Sequence, residues 1–142
     1  MRLFIAGIIQ GSHAGRDLHA QDYRTRVATT VRAAYPEIEI IDPWALHPGS
    51  IDYPPQKAQA TLLELARTAG ESDVVVAYLP QASMGTALEM YEAYQNRRVV
   101  ITISPLSQNW VVLHLSHVVL PDLDAFDAWV RAGEMAKLLD GG

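Results

Sequence analysis

Eight residues, Ser83-Met84-Gly85-Thr86-Ala87-Leu88-Glu89-Met90, combine small side chains, two hydroxyls and a carboxylate. They follow directly on the apolar run Val74-Val75-Val76-Ala77-Tyr78-Leu79. A β-branched apolar run of that length reads as a buried strand. Ser83 and Gly85 then open a helix that carries Glu89, Met90, Ala93 and Tyr94. The first amides of a helix have no partner inside it, and the helix dipole favours negative charge there. A strand, a small-residue turn and a helix start therefore make an anion site. Glu89 stands one turn into that helix. A phosphate pocket with a carboxylate beside it suits chemistry on a phosphorylated sugar.

The rest of the chain must hold these residues in place. Residues 3–8 (Leu-Phe-Ile-Ala-Gly-Ile) read as a first, fully buried strand. Residues 10–20 form a polar loop with Gly11, Ser12, His13, Gly15 and Arg16. A helix over 21–35 turns Tyr23, Val27, Thr30, Val31 and Ala34 inward at helical spacing, and Pro36 ends it. Residues 37–41 are the second strand, followed by a long loop punctuated by Pro43, Pro48, Gly49, Pro54 and Pro55. That loop has the length of a functional or capping segment. A second helix over 57–69 has Ala58, Leu62, Leu65 and Ala66 inward. Residues 73–79 are the third strand, 99–103 the fourth and 118–120 a short fifth. Residues 107–115 are a short helix or irregular segment, and one closing helix covers 122–139 with Phe126, Trp129, Val130 and Leu138 on its core face.

Strands alternating with helices predict an α/β fold with a parallel sheet covered on both sides by right-handed crossovers. The expected form is a flavodoxin-like, doubly wound five-stranded sheet of order 2-1-3-4-5. Its site would lie at the carboxyl ends of strands one and three, where the order switches.

Composition bounds the function. A chain of 142 residues suffices for a single domain, 1–142, with a full core. The formal net charge of −5 argues against a nucleic-acid polymer as partner, because neutralising a phosphate backbone needs clustered Lys and Arg. The absence of cysteine removes disulfides, thiol catalysis and thiolate metal sites, and fits a cytoplasmic location. No apolar run approaches a membrane span, and no leader pattern precedes the first strand. The five histidines, His13, His19, His47, His114 and His117, show no metal-ligand spacing, so neither metal nor organic cofactor is expected.

Phe4-Ile5-Ala6-Gly7, Asp73-Val74-Val75-Val76-Ala77 and above all the Ser-x-Gly-Thr-x-x-Glu element at Ser83–Glu89 together resemble the nucleoside 2-deoxyribosyltransferase superfamily. That superfamily includes nucleoside transferases and hydrolases that cleave nucleoside 5′-monophosphates to base and sugar phosphate. The resemblance runs from residue 3 to about residue 103. It implies that Glu89 is the nucleophile, attacking the anomeric carbon as the base leaves, and that water or a second base resolves the glycosyl-enzyme. Ser83 stands where some transferases carry an Asp for the 5′-hydroxyl. A Ser beside free amides accepts a phosphate that an Asp would repel, so the resemblance implies a phosphorylated substrate; Ser83 serves equally as a plain helix cap.

The resemblance further implies that Gly7, Gln10, Ser12 and Arg16, at and after the first strand, contact substrate with Ser83, Gly85 and Thr86, Arg16 either clamping a phosphate or standing in solvent. Glu64 falls near the position of a second acid that assists the leaving base, commonly an Asp in the family, or is a surface residue. Ile8 departs from the family pattern. Trp44 and Tyr53 are expected either to stack on a base or to pack. Members complete their sites with a neighbouring subunit, and Trp110, Val111, Val112 and Leu115 form an apolar group suited to such contact, so a homodimer or higher homo-oligomer is expected. The implied activity is hydrolysis of the N-glycosidic bond of a nucleoside 5′-monophosphate. Base exchange between nucleosides, or a nucleotide-binding module without chemistry, are the alternatives.

Overall fold

Unbroken Val, Ile and Leu runs can be buried on both faces only inside a layered sheet, and that is where the chain puts them. The computed structural model describes residues 1–9 and 21–141. Its elements in chain order are β1 (Arg2–Gly7), α1 (Asp22–Ala34), β2 (Glu39–Ile41), α2 (Pro43–Leu46), a 3-10 turn at Ser50–Asp52, α3 (Pro55–Glu71), β3 (Val74–Tyr78), α4 (Met84–Gln95), β4 (Val99–Ile103), α5 (Trp110–His114), β5 (Val118–Leu120), α6 (Leu123–Arg131) and α7 (Glu134–Asp140). The five strands are all parallel, in the order β2-β1-β3-β4-β5. This is the flavodoxin-like arrangement.

Alternation along each strand divides the core in two. Leu3, Ile5, Val74, Val76, Ile101 and Ile103 face the layer of α1, α6 and α7, where Val27, Val31, Phe126, Val130 and Met135 meet them. Phe4, Ala6, Val75, Ala77 and Val100 face the other layer, packing on Ala69, Met90, Ala93 and Val112 of α3, α4 and α5. Because β1 has β2 on one side and β3 on the other, the chain leaves its two edges toward opposite layers. A crevice opens above the carboxyl ends of β1 and β3.

Three features differ from the sequence-based expectations. The closing helix is two helices: Gly133 takes the left-handed conformation at φ 79° and stops α6 two residues earlier. The long loop after β2 is largely ordered into α2 and the 3-10 turn, with Asp42 capping α2 by accepting from the Trp44 amide at 3.0 Å. Of the apolar group near residue 112, only Trp110 is strongly exposed, at 80%; Val112 is buried in the core.

Candidate active site

A cavity of about 440 Å³ occupies the crevice, within the usual range for small-molecule sites. Glu89 lies in it with Gly7 at the end of β1, Ser83, Gly85 and Thr86 at the start of α4, and Arg24 from α1. Pro43, Ser50, Ile51 and Tyr53 supply a wall from the loop after β2.

The start of α4 is built as an anion site requires. Ser83 caps the helix: its Oγ accepts from the Thr86 amide at 3.3 Å and from Thr86 Oγ1 at 3.0 Å. The Ala87 amide is taken by the Ser83 carbonyl. No described residue accepts from the amides of Met84 or Gly85. A Cβ at Gly85 would meet nothing within 4 Å, so the backbone there is open to the cavity. Gly7 has a different reason. A Cβ at Gly7 would sit 2.0 Å from the Tyr23 hydroxyl, so the missing side chain makes room for the tyrosine under the cavity.

Glu89 is 9% exposed, and no described residue donates a hydrogen bond to it. Burial pushes its carboxyl up to about 8, against the pull of the Arg24 guanidinium, which favours the ionised form. Most buried carboxylates are paired or hydrogen-bonded because desolvating a charge is costly. Glu89 has no such partner among the described residues.

Glu64 is exposed and does not line the cavity. The face of α3 toward the cavity carries Ala58, Thr61, Leu62, Leu65 and Ala66, and at 100° per residue Glu64 lies about 120° round the helix from the middle of that stripe. Ala58, Leu62, Leu65 and Ala66 were expected to face the core. All four line the cavity; Leu65 also packs on the core, whereas Leu62 remains 47% exposed. Gln10, Ser12 and Arg16 lie outside the described residues. Tyr53 lines the wall, hydrogen-bonded to His47 Nδ1 at 3.0 Å, with the Lys57 ammonium 4.1 Å from its ring centre. Among the described residues no group of three or more His, Asp or Glu is placed to hold a metal ion, and no described helix is long and apolar enough to cross a membrane.

The sequence reading missed Arg24 and Asp42. Arg24 is 2% exposed. Its guanidinium donates to the Ile5 and Gly7 carbonyls at 3.2 Å each, to Asp42 Oδ1 at 3.0 Å and to Gln21 Oε1 at 2.7 Å. The signal was there: Arg24 falls beside Tyr23 and one turn before Val27 on the inward stripe of its helix, where an arginine needs a partner to be buried.

The sequence matches no family model, and no curated protein matches it. The fold does have solved counterparts. A 2-deoxyribosyltransferase from Bacillus psychrosaccharolyticus superposes with a TM-score of 0.65 at 11% identity, covering 89% of this chain and 90% of that one. The Clostridium botulinum CMP N-glycosidase BcmB gives 0.52 at 12% identity, covering 93% and 99%. A conserved protein from Enterococcus faecalis V583 gives 0.63 at 17% identity, covering 92% and 97%. At these identities the likeness is one of fold: the chain has the flavodoxin-like architecture also found in a 2-deoxyribosyltransferase and a CMP N-glycosidase.

Proposed function

We propose that this protein is an enzyme that cleaves the N-glycosidic bond of a nucleoside 5′-monophosphate through Glu89. The observation that carries the reading is the buried carboxylate of Glu89 at the cavity, without a hydrogen bond from any described residue and one helical turn from the Met84 and Gly85 amides, which no described residue accepts from. The phosphate sits on those amides and the Ser83 hydroxyl, which places the sugar across the cavity toward Glu89. The ionised carboxylate attacks the anomeric carbon. The C–N bond breaks, its electron pair leaves with the base, and the base takes up a proton. Water then adds to the anomeric carbon, loses a proton and frees Glu89, giving sugar 5-phosphate. The fold shared with a deoxyribosyltransferase and an N-glycosidase supports the class of chemistry.

The test is a screen of nucleoside monophosphates for released base. Glu89→Gln should lower turnover by about three orders of magnitude while leaving binding nearly intact, because the swap removes only the nucleophilic charge. Retained turnover in Glu89→Gln rules the covalent route out. Ser83→Asp should weaken monophosphate binding far more than binding of the matching nucleoside, since it sets a charge against the phosphate. Addition of a free base separates hydrolysis from transfer: only transfer yields the exchanged nucleoside.

The same reading takes a second copy of the chain as partner. Met84, Leu88 and Tyr91 form an exposed stripe on α4, 89%, 47% and 49% accessible, running from the cavity rim beside Leu62. An apolar stripe continuous with an open site suits a neighbour that finishes its wall. Sedimentation at micromolar concentration should show a dimer or larger species, and a pure monomer overturns this part.

A further inference from the structure

Arg24 is built into the floor of the cavity more firmly than a packing strut requires. Four of its five N–H groups are spent: two on the carbonyls at the end of β1, one on Asp42 Oδ1 and one on Gln21. The fifth, on Nη2, has no acceptor among the described residues. Its Cζ also lies 5.0 Å from the centre of the Tyr23 ring. Burying a guanidinium is expensive, and Asp42, half-buried, offsets one charge. The same cavity is lined by a second carboxylate, Glu89, to which no described residue donates a hydrogen bond.

We propose that Arg24 is a positioning residue for the reaction: its guanidinium, pinned by β1 and Asp42, is the fixed positive charge against which Glu89 carries its negative one. The consequence for catalysis rests on the reading of Glu89 as nucleophile. A nucleophilic carboxylate has to be ionised, and a site that strips it of hydrogen bonds must stabilise that charge from a distance. A rigid arginine does so without forming a contact that would have to break as Glu89 attacks. Asp42 works against it by drawing the same guanidinium. The pair thus sets how much of the arginine's field reaches Glu89.

The described residues around Glu89 offer few other sources of charge. Among the described residues, the charged or titratable groups around Glu89 are Arg24 and Tyr23 of α1 and Tyr53 on the loop wall, while Asp42, beyond β2, is paired with Arg24. Tyr78 of β3 lies against Tyr23, ring centres 4.4 Å apart. The cavity-facing residues of α3 and the strand residues under α4 are uncharged. The direction found for Glu89, upward by burial and downward by Arg24, agrees with this geometry.

The experiment is a carbon-13 NMR titration of side-chain carboxyls in the full chain, with the Glu89 signal assigned by its loss in Glu89→Gln. In Arg24→Met the Glu89 midpoint should rise by about one pH unit or more. In Asp42→Asn it should fall, because the guanidinium is released from its competitor. Opposite shifts in the two variants are the signature, since a strut that merely holds β1 would move neither in a set direction. An unmoved midpoint in folded Arg24→Met, or shifts of the same sign in both, overturns the proposal. Should Arg24→Met fail to fold, Asp42→Asn decides alone: a fall supports the proposal, and no change or a rise overturns it. The ascending limb of kcat/KM against pH should follow the NMR midpoints. Turnover retained in Glu89→Gln defeats the nucleophile reading separately and leaves the titration result standing.

Discussion

Glu89 and Asp127 each leave 9% of their surface exposed, yet their carboxyls are held in opposite states, that of Glu89 deep under the cavity and that of Asp127 nearer solvent. Asp127, on α6, meets α1 across the far layer. Burial pushes its carboxyl up, but the Thr30 hydroxyl at 2.7 Å and the Arg26 guanidinium at 2.8 and 3.0 Å more than reverse that, and it ends below the ordinary aspartate value. Arg26 also reaches Asp124, closing a clasp between the two helices. Glu89 receives no such bond from any described residue, and burial wins. Two arginines two residues apart on α1 therefore do different work. Arg26 touches its carboxylates and clasps two helices, whereas Arg24 lines the same cavity as Glu89 without a hydrogen bond to it. Deep burial with no hydrogen bond from a described residue sets Glu89 apart, whereas Asp127 lies nearer solvent and is held by Thr30 and Arg26.

If that contrast is right, removing the site's charge should stabilise the protein. Glu89 is raised from 4.5 to about 8, so the folded state holds its proton more tightly than the unfolded chain does. Between those values the folded state binds the extra proton, and stability falls as pH rises. Above pH 8 the full cost of the bare charge is present. Glu89→Gln should therefore be more stable than wild type by about 2–5 kcal/mol at pH 9, with the gain shrinking toward zero near pH 4.5. Denaturant unfolding at the two pH values checks this. A variant less stable than wild type at pH 9 would mean that Glu89 has partners, and would erase the contrast with Asp127.

Asp127 should behave in the reverse sense. Its lowered value means that the ionised form is favoured by folding. That stability is present above the unfolded value near 3.9 and is lost as pH falls through the lower folded one. Asp127→Ala should cost about 1–3 kcal/mol at pH 7, leaving Thr30 without its acceptor, and clearly less near pH 2.5. A cost that does not change with pH would place the stabilisation in packing rather than in the clasp.

Much of this was legible in the sequence, and the exceptions share a cause. Sheet and order follow from apolar runs alternating with helical stripes, which is local information. So does the start of α4, where Ser83, Gly85 and Thr86 sit within one turn of each other. The burial of Arg24 was legible from its place on the inward stripe of α1, but its pairing with Asp42 was not, because it joins residues on different elements and a pairwise contact leaves no period. Glu64 was misplaced by direction: a register error of one residue turns a side chain by 100° and takes it off the cavity face. Ala58 and Leu62 were read as core because periodicity reports that a face is apolar, not whether protein or ligand covers it; Leu65, on the same face, does pack on the core.

The smallest expected effect separates the two jobs of Ser83. Its acceptor side is committed, since Oγ takes both the amide and the hydroxyl of Thr86, while its own O–H is left to donate. Ser83→Ala removes cap and donor together and should cost about 1 kcal/mol of stability at any pH between 5 and 9, the usual effect of losing a capping side chain. Ser83→Asp restores the cap, because aspartate accepts from the third amide as well as serine does and suits the positive end of the helix. Its stability without ligand should therefore match wild type within about 0.5 kcal/mol. The two variants thus divide structure from recognition: alanine weakens the helix start, and aspartate leaves it whole while turning a phosphate away. Unfolding curves on the ligand-free proteins measure the first effect cleanly. Should Ser83→Asp prove as unstable as Ser83→Ala, the Ser83 hydroxyl is holding α4 by something other than an acceptor, and its freedom to donate to a phosphate falls with it.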